Sequence, residues 1–115
     1  MLIVDDDPEM CLLLARALGA VCGRACLSFN SAEELQSIPG VSDCDTAILD
    51  YRLNGPATGL DVCRYLRGVG FGGRIVFFTG EAEALAGRPE LARLQVLRVF
   101  AKPTDINELL ALVCD

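Results

Sequence analysis

Four apolar runs in this chain each stop at a residue type that handles phosphate or metal, and this pattern limits the possible folds more than any other feature. Thr46-Ala47-Ile48-Leu49 ends in Asp50, and Leu2-Ile3-Val4 delivers Asp5 and Asp6. Ile75-Val76-Phe77-Phe78 delivers Thr79, and Val96-Leu97-Arg98-Val99-Phe100-Ala101, interrupted only by its arginine, delivers Lys102-Pro103. Apolar runs of this length read as strands buried on both faces, and such strands belong in a parallel sheet covered by helices. The last residue of each run then emerges at the carboxyl edge of the sheet. Three carboxylates, a hydroxyl and an ammonium would meet there, which describes a divalent-metal and phosphoryl site.

Helical patterns separate the strands. Asp7-Pro8 is a helix start, with aspartate as N-cap and proline at the first helical position. Met10, Leu13, Leu14, Ala17 and Leu18 follow at helical spacing as far as Gly19. Ala25–Phe29 reads as a second strand, and Ser31-Ala32-Glu33-Glu34-Leu35 opens a short helix closed by Pro39-Gly40. The third strand covers about 45–50, and residues 51–59 form a Gly/Pro loop. Leu60–Leu66 is an amphipathic helix ending near Gly68, and the fourth strand covers about 74–79. Residues 82–95 hold a weaker helix interrupted by Gly87 and Pro89. The fifth strand covers about 97–101, and Asp105–Val113 is a last helix capped by Thr104 or Asp105. Five strands interleaved with five helices imply an α/β fold with right-handed crossovers. No repeat, linker or second domain interrupts the pattern, so 1–115 is expected to be one domain.

The 115 residues are 52% hydrophobic and 23% charged, which is globular and not disordered. No apolar run approaches the ~18 residues of a membrane span, and no leader pattern is present, so a soluble, cytoplasmic protein is expected. The net charge is -6 and the ten basic residues are scattered, which argues against direct nucleic-acid binding. Among them Lys102 is the sole lysine. The six cysteines form no C-x2-C pair, and there is no histidine to complete a zinc site. Most lie within apolar patterns, so reduced, buried, alanine-like thiols are expected.

With these residues placed, the chain resembles the receiver domain of two-component response regulators over nearly its whole length. The resemblance is carried by Ile3-Val4-Asp5-Asp6-Asp7, Ala47-Ile48-Leu49-Asp50-Tyr51-Arg52-Leu53, Gly59-Leu60-Asp61-Val62, Val76-Phe77-Phe78-Thr79-Gly80 and Phe100-Ala101-Lys102-Pro103. It implies a flavodoxin-like (βα)5 three-layer sandwich with a parallel five-stranded sheet of order 2-1-3-4-5. In that order Asp5, Asp6 and Asp50 become neighbours in the crevice. The resemblance further implies Mg2+ as cofactor, ligated by Asp6 and Asp50, by Asp5 through water and by the backbone carbonyl of Arg52. Asp50 would be the phosphorylated nucleophile, with Lys102 and Thr79 holding phosphoryl oxygens. A cis Lys102-Pro103 bond would aim the ammonium into the crevice. The implied partners are a sensor histidine kinase or phosphotransfer protein and a fused or separate output domain, with no membrane involved.

The chemistry stands apart from the resemblance. Phosphoryl transfer needs a nucleophile, positioning and neutralisation of charge on the equatorial oxygens, and clustered carboxylates attract a hard divalent cation. Asp7 is explained by its capping role. Gly59 and Gly80 read as turn residues with backbone or packing demands, and Asp61 as a solvated acid in a helix first turn. Arg52 and Glu81, two beyond Asp50 and Thr79, form an opposite-charge pair able to bridge the crevice mouth. The loop from Asp50 to Gly59 is one residue longer than the commonest family form, and Asn54 stands where proline is usual. That longer form resembles receivers attached to histidine kinases. Val99 occupies the position where many receivers carry a switching aromatic residue. Other readings are a receiver-like docking module without turnover, a haloacid-dehalogenase-type phosphohydrolase and a flavin-binding flavodoxin. The second wants an acid where Arg52 stands, and Asp5-Asp6-Asp7 would repel a flavin phosphate.

Overall fold

The computed structural model describes residues 1–36 and 44–114. Strand β1 is Leu2–Val4, followed by helix α1, Pro8–Cys22, then β2, Leu27–Phe29, and α2, Ala32–Gln36. Strand β3 is Thr46–Leu49, α3 is Gly59–Gly68 and β4 is Arg74–Thr79. Two short helices, α4 (Ala82–Leu85) and α5 (Pro89–Arg93), precede β5 (Val96–Ala101) and α6 (Ile106–Val113). The sheet is parallel with order β2-β1-β3-β4-β5, as the resemblance implied. The closure of the second helix by Pro39-Gly40 lies outside the described residues.

Both faces of the sheet are packed, which is why the strands read as continuous apolar runs and not as alternating ones. Side chains alternate along each strand. Leu2, Val4, Ala47, Leu49, Ile75 and Phe77 therefore enter one layer, with Leu35 of α2, Leu60, Cys63 and Leu66 of α3, and Leu85 of α4. Ile3, Ile48, Val76, Phe78 and Phe100 enter the other, with Cys11, Leu14 and Leu18 of α1 and Leu109 and Val113 of α6. Each large side chain fully removed from water contributes ~1.5–3 kcal/mol. These two layers, and not the surface ion pairs, hold the sheet together.

Several expectations are corrected. Helix α1 does not stop at Gly19 but runs on to Cys22; Gly23, in left-handed conformation at φ 65°, ends it and donates its N–H to Gly19 O at 3.1 Å. Nothing crowds Gly19, so the apolar residues after it continue the helix. Leu13 is not a core residue; it and Leu12 are exposed, because the side facing the sheet is the Cys11–Leu14–Leu18 stripe. The fourth helical segment is two helices, since Gly87 adopts φ 88° and Pro89 restarts the chain as α5. Among the described residues, six helices stand where five were expected.

Asp105 holds the N-cap position of α6, one of the two expected, but its side chain makes no capping hydrogen bond. The Asp105 carboxylate instead accepts the Ala101 N–H at 2.9 Å. The cysteines are not all reduced: Cys22 and Cys114 form a disulfide, because α1 and α6 lie side by side on one face. Cys11 and Cys63 are free and buried as expected, while free Cys26 and Cys44 are partly exposed. No described helix is long and apolar enough to cross a membrane.

Candidate functional site

Parallel pairing aligns the ends of the central strands. Val4 lies opposite Leu49 and Thr79 opposite Ala101, so Asp5, Asp50 and Lys102 all follow the last paired residues. Backbone hydrogen bonds continue the ladder past these ends: Asp50 N–H reaches Val4 O at 2.9 Å, Asp5 N–H reaches Phe29 O at 3.0 Å, and Lys102 N–H reaches Thr79 O at 2.9 Å. The functional side chains therefore leave rigid backbone. Gly59 makes the close packing possible. A Cβ there would sit 2.0 Å from Asp50 O and 2.8 Å from Phe77 Cε1, so only glycine lets α3 begin against the Asp50 peptide.

Asp5, Asp6 and Asp50 each present a carboxylate oxygen within 4.8 Å of the others. Asp5 and Asp50 are buried and Asp6 is half-buried. Lys102 Nζ donates to Asp5 Oδ2 at 2.6 Å and to Asp50 Oδ2 at 2.8 Å. The Lys102-Pro103 bond is cis. Asp5 Oδ1 accepts the Asp7 N–H at 3.0 Å, which fixes the carboxylate's orientation. Thr79 is buried, and its Oγ1 accepts the Glu81 N–H at 3.1 Å, leaving its own hydroxyl hydrogen to donate.

One ammonium serves two buried carboxylates, and the balance shows in their proton affinities. Burial pushes the Asp5 carboxyl above its ordinary range, against the hydrogen bonds from Lys102 and the Asp7 N–H, and the charge on Asp50 adds to the rise. Burial disfavours the Lys102 ammonium, but its bonds to Asp5 and Asp50 outweigh that and hold its pKa above the usual lysine value. Both partners of the Lys102–Asp5 bond are thus raised, because the shared lysine does not fully compensate Asp5. An all-oxygen cluster short of positive charge fits a hard divalent cation.

The other sequence-stated residues fall into place around the cluster. Asp7 caps α1, accepting the Glu9 N–H at 3.0 Å, and stands outside the three-carboxylate group. Arg52 turns its guanidinium to Glu81, bonding through Nε and, at 3.1 Å, through a terminal nitrogen to Oε1. The bridge across the crevice mouth is therefore formed. Val99 packs partly buried in one layer while Phe100 is buried in the other, so the Phe100 ring faces away from the side that Val99 occupies. Gly80 has neither a positive φ nor a close neighbour, and no packing demand explains it. Asp61 does more than solvate: its carboxylate accepts the Thr58 N–H at 2.8 Å while Thr58 Oγ1 accepts the Asp61 N–H at 3.4 Å, a capping box that fixes the start of α3.

Two supporting residues escaped the sequence reading. Asn30 Nδ2 donates to Asp5 O at 2.9 Å, tying the end of β2 to the site. Arg88 lies over the Tyr51 ring, 5.2 Å from its centroid, and donates to Tyr51 Oη at 3.2 Å. The T-x-x-D spacing of Thr58 and Asp61 was an available signal for the capping box that reading Asp61 as a solvated acid passed over; nothing in sequence spacing signals the other two.

A family model for the response regulator receiver domain matches residues 1–114. The acid tolerance regulatory protein ActR of Sinorhizobium medicae is 33% identical over 116 residues, covering 96% of this chain and 56% of ActR. The chain thus spans about half the length of the curated relatives it matches. Among solved structures, Thermotoga maritima TrrA in complex with Mg(2+)-BeF has 25% identity and a TM-score of 0.79, covering 97% of this chain and 93% of that one. A response regulator receiver protein from Pseudomonas putida has 28% identity and a TM-score of 0.77, covering 97% and 92%.

Proposed function

We propose that this chain, which belongs to the receiver-domain family of two-component response regulators, uses Asp50 as the residue that accepts phosphoryl in a phosphorelay. The observation that carries this is the Asp50 carboxylate, bonded to Lys102 and set beside Asp5 and Asp6 at the carboxyl edge of the sheet. These 115 residues hold no histidine, so the phosphohistidine donor lies outside them, on a sensor kinase or phosphotransfer protein. An Asp50 oxygen attacks phosphorus in line. The new O–P bond forms as the P–N bond breaks, the donor imidazole leaves and takes a proton, and Asp50 becomes an acyl phosphate.

The rest of the site manages charge. Lys102 moves from carboxylate to phosphoryl oxygens, and the Thr79 hydroxyl donates to another, aided by backbone N–H groups near Arg52 and Gly80. Mg2+ would be held by Asp6 and Asp50 directly, by Asp5 through water and by the Arg52 carbonyl. Bound there, it neutralises charge on the transferring group. The module is a regulator that assists its own phosphorylation and dephosphorylation, acts in the cytoplasm and switches a fused or separate output partner.

The test is incubation with Mg2+ and a small-molecule phosphodonor, followed by intact mass. One phosphoryl adduct, removed by hydroxylamine and absent in Asp50→Asn, is expected. Stoichiometric labelling of the Asn variant, or no adduct on the parent, overturns the assignment; the second result would favour a docking module without turnover.

A further inference from the structure

At the end of the sheet opposite the carboxylates, Cys22 is the last residue of α1 and Cys114 directly follows α6. The two are joined as a disulfide with Cα atoms 5.4 Å apart, inside the ~4.4–6.8 Å that such bonds span. They are 92 residues apart in sequence, and the shared packing of Leu14, Leu18, Leu109 and Val113 brings them together. Both sulfurs belong to half-buried residues, whereas Cys11 and Cys63 are sealed in the core. Small reagents are therefore expected to reach this pair more readily than the two sealed thiols. The end of α6 has a second anchor that does not respond to oxidants: Arg74 donates to Leu112 O at 3.1 Å and to Val113 O at 3.0 Å.

We infer that Cys22 and Cys114 form a reversible thiol–disulfide site that fastens the carboxyl end of α6 to α1 when oxidised and releases it when reduced. The oxidant is a low-molecular-weight disulfide. One protein thiolate attacks it and expels a small thiol, leaving a mixed disulfide; the second protein thiolate then attacks the protein sulfur and expels the other small thiol. Two protein thiols and one small disulfide become one protein disulfide and two small thiols, and a reducing dithiol reverses the exchange. Where thiols are kept reduced, such a bond forms transiently and not as permanent structure. Reduced, the last turn of this eight-residue helix keeps its own backbone bonds and, among the described residues, is held to the rest of the fold by Arg74 and by apolar contact. Oxidised, it cannot leave α1. The site gives the molecule an input separate from the crevice, and it does not depend on the phosphoacceptor reading.

The test equilibrates the intact chain in buffers from reduced to oxidised glutathione, then alkylates it after denaturation. Six labels are expected in reduced buffer and four in oxidised buffer, with Cys22 and Cys114 in one linked peptide. Oxidation should raise the melting temperature by ~10 °C, since the bond closes a long loop, and should slow amide exchange in residues 109–113. Cys22→Ser should abolish both responses. Cys114→Ser removes the same bond if the first variant folds poorly. Six labels throughout, stable glutathione adducts in place of the intrachain bond, a bridge between other cysteines, or equal melting in both states would each overturn the site.

Discussion

Arg52 and Glu81 are locked together through two hydrogen bonds, so the loop after β3 and the loop after β4 are tied across the mouth of the carboxylate crevice. The hydrogen bond and charge of Arg52 hold the Glu81 carboxyl below its usual range, so the pair stays ionised at neutral pH. Arg52 is 73% exposed, which makes the bridge a poor source of stability. Occlusion is another matter, because it depends on how often the bridge is closed. In the proposed phosphorylated state, a water approaching in line with the Asp50–phosphorus bond would pass this point. The Arg52→Ala/Glu81→Ala variant is expected to lose phosphoryl a few-fold faster than the parent at saturating Mg2+. Salt screens exposed pairs, so the parent's rate should rise towards the variant's at high ionic strength. Equal loss rates at low salt would mean that no gate exists.

The charge deficit in the crevice sets the expected metal dependence. Asp6→Ala should weaken Mg2+ binding more than Asp5→Ala, since in the proposed ligand set one removes a direct ligand and the other a water-mediated one. Lys102→Ala removes the counter-ion of two buried carboxylates. Breaking such a pair costs about 3–5 kcal/mol, less whatever the acids recover by taking up protons. Saturating Mg2+ supplies replacement charge and should return much of the loss. Denaturant melts of the three variants with and without Mg2+ decide both points. Equal Mg2+ affinity in both acid variants, or a Lys102→Ala deficit indifferent to Mg2+, would contradict this arrangement.

Much of the site was legible because a parallel sheet turns local sequence into position. Each apolar run ends at the same edge, so Asp5, Asp50, Thr79 and Lys102 could be gathered without knowing any contact. Period alone did not show which helical apolar residues reach the core. The stripe of α1 is wider than the sheet beneath it, and Leu13 falls outside. Glycine punctuation was ambiguous for a similar reason. Gly19 and Gly23 look alike in sequence, and only the left-handed backbone at Gly23 ends the helix. Contacts made by tertiary packing left no trace in spacing, among them the Cys22–Cys114 bond and Arg88 on Tyr51.

Cys63 gives a pH prediction. Burial in the α3 layer pushes its thiol up to about 11 from 9.0. The folded pKa exceeds the unfolded one, so the neutral thiol's contribution is fully present below pH 9 and is lost as pH rises through about 11. At 1.36 kcal/mol per pKa unit this amounts to about 2–3 kcal/mol. Cys63→Ala should start less stable, by ~1 kcal/mol for the small cavity, and should decline less between pH 9 and 11. Melting curves across that range check the slope. Alkylation at pH 8 gives an independent reading, since Cys63 should react far more slowly than partly exposed Cys44.

Gly59 and Gly80 flank the site and offer a matched pair of substitutions with opposite expectations. At Gly59 an added methyl meets Asp50 O at 2.0 Å and the Phe77 ring at 2.8 Å. The first is backbone at the end of the central strand, and the second lies in the close-packed layer behind it. Neither yields without moving the Asp50 peptide or tilting α3 away. Gly59→Ala is therefore expected to lose about 3 kcal/mol of stability or more, at the upper end for overpacking. The folded fraction should also accept phosphoryl more slowly, because its nucleophile is displaced. At Gly80 no atom lies within 4 Å of the new methyl, and φ is not positive. Gly80→Ala should stay within ~0.5 kcal/mol of the parent, as surface changes do. Denaturant melts combined with phosphodonor labelling of each variant check the pair; equal stability in the two would mean that Gly59 is not what lets α3 dock against Asp50.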